Sequence, residues 1–318
     1  MRFNRDIQGA PLCRASVVTI GAFDGLHLGH QAMLNSVVAR AAELGVGSAA
    51  LAARSNIISA VVSFEPLPRS YFKQPGFLRI LSVREKLKLL QGSGIEQLLL
   101  LRFNQALAQM SPQDFVERVL VQRLQALEVW IGVDFRFGAK RAGSIDTLRT
   151  LGARFGFSVQ TFAEVQSAGE RISASAVRTA LLDGDFVGVQ RRLGRPFRVS
   201  ARVQSGQQLG RTLGFPTANL PWPNDNPLRG IFTVRVSSAN LHRHPAVASL
   251  GTRPVVNGVE PLLEVHLLDF SGDLYGQVLT VEFIAKQRDE WNFSGLPALV
   301  EQIKLDELQA RQILAANP

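Results

Sequence analysis

The sequence predicts a two-domain protein of the α/β plus β class: a parallel sheet with helices over residues 1–187, then a small antiparallel β-barrel with a terminal helix over residues 188–318. Three observations carry this. A chain of 318 residues exceeds what one ordinary core serves. Up to about residue 185, apolar runs of strand length alternate with helical periods, as right-handed crossovers between parallel strands require. After Gly194-Arg195-Pro196, short apolar runs separated by Gly, Pro and Asn replace those periods, as in a small barrel.

The first element is an apolar strand over residues 15–20. It runs into Gly21-Ala22-Phe23-Asp24-Gly25-Leu26-His27-Leu28-Gly29-His30, and a helix expected to end near Gly45 follows. Gly21 and Gly25 let the backbone turn tightly, and Gly29 clears space where another group meets the helix. A helix start in this position points backbone N–H groups at an anion. His27 and His30, three apart, can both project toward that start and stabilise charge developing on phosphorus. Residues 46–59 have no clean period and read as a loop or a short extra helix.

A second strand over residues 60–64 meets Glu65-Pro66-Leu67-Pro68, whose prolines should fix an extended segment beside the site. Ser82-Val83-Arg84-Glu85 is a capping box for a helix through Leu90, closed by Gly92 and Gly94 before a strand at 98–101. Ser111 and Pro112 open the next helix, and 127–132 returns as a buried strand. Ligands of such sheets bind at the carboxyl ends of the strands. There Asp134, Phe135 and Phe137 surround Arg136, a composition able to stack a planar ring and meet an anion. Ser173 and Ser175 stand at the start of a further helix with Arg178 one turn on, a set suited to triphosphate oxygens. That helix closes at residues 182–185, and the domain boundary is expected near Gly188.

The barrel strands are expected at 197–204, 232–237, 246–250, 262–269 and 278–284, with an amphipathic helix over 296–314. Residues 206–219 place Gly206, Gly210 and Gly214 around Arg211 and end in Pro216-Thr217-Ala218-Asn219. Thr217 and Asn219, two apart on an extended segment, face the same way and can jointly hold a hard cation bridging phosphates. In Leu262-Leu263-Glu264-Val265-His266, alternation puts Glu264 and His266 on one face, and a carboxylate there can act as a general base.

Composition narrows the function classes. With 46% apolar and 19% charged residues the chain suits a soluble globular enzyme. The single Cys13 gives no intrachain disulfide and no thiolate metal site, so a reducing, cytoplasmic compartment is expected. No apolar stretch has membrane-spanning length, and no targeting signal is read at the amino terminus. The net charge is +9, but Lys and Arg never exceed two in a row, which argues against nucleic acid and suits small anionic nucleotides.

The pattern Gly-x-Phe-Asp-Gly-x-His-x-Gly-His at residues 21–30 resembles the first motif of nucleotidylyltransferases, specifically the flavin-adenylating half of bacterial bifunctional riboflavin kinase/FAD synthetases. Residues 172–178 resemble that family's Ile-Ser-Ser-Thr-x-Ile-Arg, with Ala174 and Ser175 replacing Ser and Thr, and residues 132–138 resemble its Gly-x-Asp-Phe-x-Phe-Gly. Leu67 stands where its Phe-Glu-Pro-His-Pro has histidine. Pro-Thr-Ala-Asn, Leu-Glu-Val-His and residues 269–276 resemble its riboflavin-kinase half, while Ser249, Val255 and Val256 depart from its Asn-x-Gly-x-Arg-Pro-Thr-Phe.

The resemblance implies a Rossmann-like nucleotidylyltransferase domain and a kinase barrel. Riboflavin plus ATP would give FMN, and FMN plus ATP would give FAD and pyrophosphate, with the flavin as substrate and product rather than redox cofactor. His27, His30 and Glu264 would be catalytic. Gly21, Phe23, Asp24, Gly25, Gly29, Ser173, Ser175, Arg178, Gly210, Gly214 and Pro216 would bind nucleotide, and Thr217 with Asn219 would hold Mg2+. Asp134, Phe135, Phe137 and Arg253 would contact flavin. Two other readings stay open on the residues alone: a nucleotidylyltransferase with another acceptor fused to a non-catalytic barrel, and a nucleotide-binding regulatory protein. Incubation with ATP and riboflavin separates them.

Overall fold

The computed structural model describes residues 1–46, 57–167, 169–206, 210, 213–222, 227–255 and 258–317. Most of the 46–59 stretch and Val256 therefore lie outside the described residues, as does the side chain of Arg253. The chain forms two compact units, one of Met1–Pro75 with Leu81–Ser173 and the other of Gly76–Ile80 with Ala174–Pro318.

In the first unit, β1 (Arg2–Asn4), β2 (Ala15–Ile20), β3 (Ile57–Glu65), β4 (Gln97–Arg102), β5 (Ala126–Gly132) and β6 (Ser158–Phe162) form one sheet in the order β1-β4-β3-β2-β5-β6. Every neighbouring pair is parallel. All six residues of β2 are buried, as a strand covered on both faces requires. Strand order reverses between β2 and β5, and at such a switch point a crevice opens outside the carboxyl ends. Helix α1 (Leu28–Val46) follows β2 directly. Helix α2 (Pro68–Tyr71) and α3 (Val83–Gly92) connect β3 to β4, and α4 (Gln105–Ala108) and α5 (Pro112–Phe115) connect β4 to β5. The last of these runs on into the π-helical Val116–Arg123. Helix α6 (Ile145–Phe155) leads to β6. Both caps predicted for α3 and α5 are present: the Ser82 side chain accepts from the Glu85 amide and the Ser111 side chain from the Asp114 amide.

Three expectations need correction here. β3 starts at Ile57, so residues 57–59 are strand and not loop. Pro68 opens α2 at its first turn instead of extending the chain, because proline suits a helix start as well as an extended one, and Leu67 beside it is 1% exposed. β6 was not anticipated: Ser158–Phe162 is mostly exposed and has no apolar run to betray it. A short hairpin of β7 (Gln166–Ser167) and β8 (Glu170–Arg171) completes the unit.

The second unit begins with α7 (Ala174–Asp183) and α8 (Phe186–Leu193), so the expected boundary at Gly188 falls inside α8. Packing explains the difference. Phe186 stacks on Phe283 at 5.6 Å and lies 6.3 Å from Phe197, which puts α8 in the barrel core. Composition gives no hint of this, since α7 and α8 look like the helices before them. Arg178 ties Gly76–Ile80 to the unit, donating from Nε to the Leu78 carbonyl at 2.6 Å with its guanidinium 4.6 Å over the Phe77 ring.

The barrel consists of β9 (Arg198–Arg202), β10 (Ala218–Pro221), β11 (Gly230–Ser237), β12 (His244–Val255), β13 (Gly258–Leu267) and β14 (Val278–Arg288). They pair antiparallel in the order β10-β13-β12-β11-β14-β9. A bridge between Gln204 and Asn219 joins the two ends of that order and nearly closes the sheet. Helix α9 (Leu296–Ala316) packs on β11, β12 and β14. It is fixed by the nearly buried Arg288–Asp306 pair at 2.6 Å and by Arg235, which donates to the Asn317 carbonyl at the helix end.

Candidate active sites

Between β2 and α1 the backbone takes a turn that few residues tolerate: Phe23, Gly25 and Leu26 have φ of 48°, 83° and 43°. Two of these are not glycine and cost roughly 1–3 kcal/mol each, a strain typical of functional turns. Packing holds them, with Phe23 at 0% and Leu26 at 2% exposure. Asp24, 2% exposed, accepts from the Leu81 amide at 3.2 Å, so it fastens the turn to the segment entering α3.

His27 immediately precedes α1 and caps it. Its Nδ1 accepts from the His30 amide at 3.3 Å. An imidazole that accepts at Nδ1 carries its hydrogen on Nε2 in the neutral form, which leaves Nε2 as a donor. The two rings stack, centroids 3.7 Å apart and 18° from coplanar, and Phe23 lies 5.1 Å from the His30 ring. Gly29 suits this arrangement, because a Cβ there would stand 3.2 Å from the His27 ring, a tight contact that the ring would have to give way to. The cap changes one expectation: the His30 amide is engaged by His27, so the helix-start donors with no helical acceptor are those of Leu28 and Gly29.

Behind the turn lies a residue that sequence reading missed. Lys86 on α3 is 0% exposed and its Nζ donates to the carbonyls of Ala22 at 3.0 Å and Phe64 at 3.5 Å and to Ser63 Oγ at 3.4 Å. It thus joins the turn after β2 to the carboxyl end of β3. Its one sequence signal was its four-residue spacing from Leu90, which is also buried.

The residues expected to contact flavin, Asp134, Phe135 and Phe137, stand in different surroundings. Phe137 is 7% exposed and packs on Phe115 at 5.8 Å, a core residue and not a stacking surface, and Phe135 is half-buried against it at 5.5 Å. Asp134 pairs with Arg171 at 2.6 Å, and that hydrogen bond raises the Arg171 guanidinium above its ordinary value. Exposed aromatic surface is found instead at the carboxyl ends of β3 and β4, where Tyr71, Phe72 and Phe103 pack edge to face and Phe64 meets Phe103 at 5.9 Å. Phe72 is 59% exposed. Ser173 is half-buried just before α7.

In the second unit Ser175 is exposed on α7, while Arg178 holds Phe77 and Leu78 as described. A cavity of about 570 Å³ opens beside the barrel, lined by Pro216, Thr217, Asn219, Leu267 and residues 270–275. Asn219 is 5% exposed and Gly206 lies against it, since a Cβ on Gly206 would fall 2.1 Å from its Nδ2. Gly210 has the same relation to the Phe215 carbonyl, at 2.4 Å, and Gly214 has φ of 89°. Register places Glu264 opposite Asn219 on β10 and opposite Ser249 on β12. Glu264 is exposed, with buried Leu263 and Val265 on either side, so the expected alternation holds.

Family models match along the chain in two blocks: FAD synthetase over residues 11–176 and riboflavin kinase over residues 193–314. The chain belongs to the bifunctional riboflavin kinase/FMN adenylyltransferase family. Proteins carrying that name are similar to it along nearly their whole length. The one from Pseudomonas fluorescens is 42% identical over 309 residues, covering 96% of each chain. That of Escherichia coli K12 is 41% identical over 303 residues, 93% of this chain and 92% of its own, and that of Haemophilus influenzae is 38% identical over 305. Among solved structures, a Streptococcus pneumoniae protein described as a macrolide-efflux protein is 28% identical, with a TM-score of 0.75 and 98% of each chain covered. Among the described residues no helix is long and apolar enough to cross a membrane.

Proposed function

We propose that this riboflavin kinase/FMN adenylyltransferase divides its two reactions between its two units: adenylyl transfer to FMN at the turn of residues 21–30, and phosphorylation of riboflavin at the barrel cavity beside Thr217 and Asn219. The observation that carries this is that each unit holds its own set of phosphate-directed groups, a capped helix start at a switch point in one and a hydroxyl–amide pair lining a cavity in the other.

In the first reaction the amides of Leu28 and Gly29 and the His27 ring bind phosphate oxygens. His30, stacked on His27, adds a second imidazole where charge develops. No covalent intermediate is needed, because phosphoryl and adenylyl transfer depend mainly on positioning and charge neutralisation. The aromatic patch of Tyr71, Phe72 and Phe103 supplies a flat apolar wall for an isoalloxazine ring, in place of the buried Phe137.

In the second reaction Glu264 takes the proton of the ribityl hydroxyl as the γ-phosphoryl group moves. Mg2+ fits this unit as a partner of ATP. Thr217 and Asn219 offer two neutral oxygen ligands, and among the described residues no cluster of three or more His, Cys, Asp or Glu could hold a metal alone. When bound with the nucleotide, the ion neutralises phosphate charge. A cytoplasmic site of action suits the lone Cys13, half-buried and donating to the Leu124 carbonyl, where burial pushes its thiol up and leaves it unreactive.

Chromatography of flavins after incubation with riboflavin, ATP and Mg2+ tests the reading. FMN should appear first and FAD after it, and a chelator should stop both. Flavin turnover that persists in excess chelator would remove the metal assignment, and supplied FMN left unconverted would remove the first.

A further inference from the structure

His266 shares the outer face of β13 with Glu264, yet neither reaction above uses it. Its ring sits between two acceptors from distant parts of the chain. Nδ1 lies 2.8 Å from the Pro216 carbonyl, and Nε2 lies 2.8 Å from Oε1 of Glu307 on α9. A carbonyl can only accept, so Nδ1 carries a hydrogen and donates it. Side-chain exposures of 15% for His266 and 23% for Glu307 keep the pair largely out of water, and the Phe215 ring meets the imidazole edge-on at 5.7 Å.

One turn further along α9, Arg311 makes a bidentate contact with Asp269 at 2.6 and 2.9 Å. The arginine holds the Asp269 carboxyl below its usual range. Asp269 takes φ of 55° at the start of the loop whose residues 270–275 form one wall of the cavity, while Pro216 and Thr217 form another. Glu307 and Arg311 are four residues apart and so lie on one helix face. That face reaches both walls.

We infer that the terminal helix braces the riboflavin-kinase cavity, and that His266 is the positioning residue that fixes the Pro216 carbonyl, and with it Thr217 and Asn219, under the orientation imposed by Glu307. The geometry repeats the way a carboxylate aims a histidine that in turn holds a reactive group. Of the two links, the largely buried His266–Glu307 contact dominates, since Arg311 and Asp269 are 46% and 74% exposed and exposed pairs contribute little. The inference rests on the barrel cavity being the kinase site.

The test uses the full-length enzyme, with FMN adenylylation as an internal control. His266→Leu should lower kcat/KM for riboflavin phosphorylation about ten- to a hundredfold, the range for residues that orient a site from behind it, and leave adenylylation of supplied FMN within about twofold. His266→Asn keeps an N–H donor where Nδ1 stood and should restore phosphorylation to within a few-fold of the parent. Glu307→Gln should fall between them. If His266→Leu does not fold, the contrast between His266→Asn and Glu307→Gln still decides. Parental phosphorylation in His266→Leu would overturn the inference. So would His266→Asn and His266→Leu that are equally impaired, because the ring would then serve only to anchor the helix. A parent enzyme that makes no FMN would instead refute the functional reading itself.

Discussion

Residues 21–30 make the proposed first site one continuous turn and helix start, whereas the proposed second brings Asn219 from β10 and Glu264 from β13 together by strand register. A site made of consecutive residues inherits its geometry from local rules: a left-handed turn, an N-cap, and a three-residue spacing that brings two rings together. A site made by strand register depends on every pairing between those strands. A slip of one residue would turn Glu264 into the barrel and bring Leu263 or Val265 out. The first takes its shape from local rules and is held from behind by Leu81 and Lys86. The second gains a polar set spaced by cross-strand distances that no single segment supplies.

The largest expected effect tests the register-built site. Glu264→Gln keeps size and most hydrogen bonding but removes the base, so riboflavin phosphorylation should fall by roughly a hundred- to ten-thousandfold while supplied FMN is still converted to FAD. Steady-state kinetics with each flavin decide it, and an unchanged kinase rate would make Glu264 an ordinary exposed strand residue. Next come His27→Ala and His30→Ala, each expected to slow adenylylation by about a hundredfold with phosphorylation intact. His27→Asn sharpens this, because asparagine can still cap the helix but has no ring donor. A parental rate in His27→Asn would reduce His27 to a cap.

A smaller effect is expected behind the turn. Lys86→Met keeps length and removes the donor shared by Ala22, Ser63 and Phe64, which should cost the first unit about 1–3 kcal/mol and lower adenylylation but not phosphorylation. Scanning calorimetry with both activity assays would separate the effects, and an unaltered first transition would mean that water replaces the ammonium. The smallest is Ser82→Ala. Losing that capping box should cost about 1 kcal/mol in denaturant unfolding and change neither rate per folded molecule.

Much of the first site was readable because its determinants are short-range. The glycines, the two histidines and the capping serines each specify a hydrogen bond or a dihedral within four residues, and the fold has them where those rules require. Alternation along 262–266 likewise gave the outward face of Glu264. Lys86 was unreadable, because a lysine on an amphipathic helix ordinarily reaches water, and only the strand ends folded over it supply the carbonyls that bury it. The burial of Phe137 was unreadable for the converse reason: it comes with packing on Phe115, more than twenty residues earlier in the sequence.

By itself, then, the sequence determined the strand–turn–helix motif, the helix caps, the α/β and barrel halves and the family to which both belong. Tertiary structure alone decided that α7 and α8 pack with the barrel, that Asn219 and Glu264 stand opposite each other, and that α9 reaches the cavity through His266. Periodicity and capping are fixed by bonds between near neighbours in the chain. Partners tens of residues apart, or on facing strands, are chosen by burial and register, which exist only once the whole core has packed.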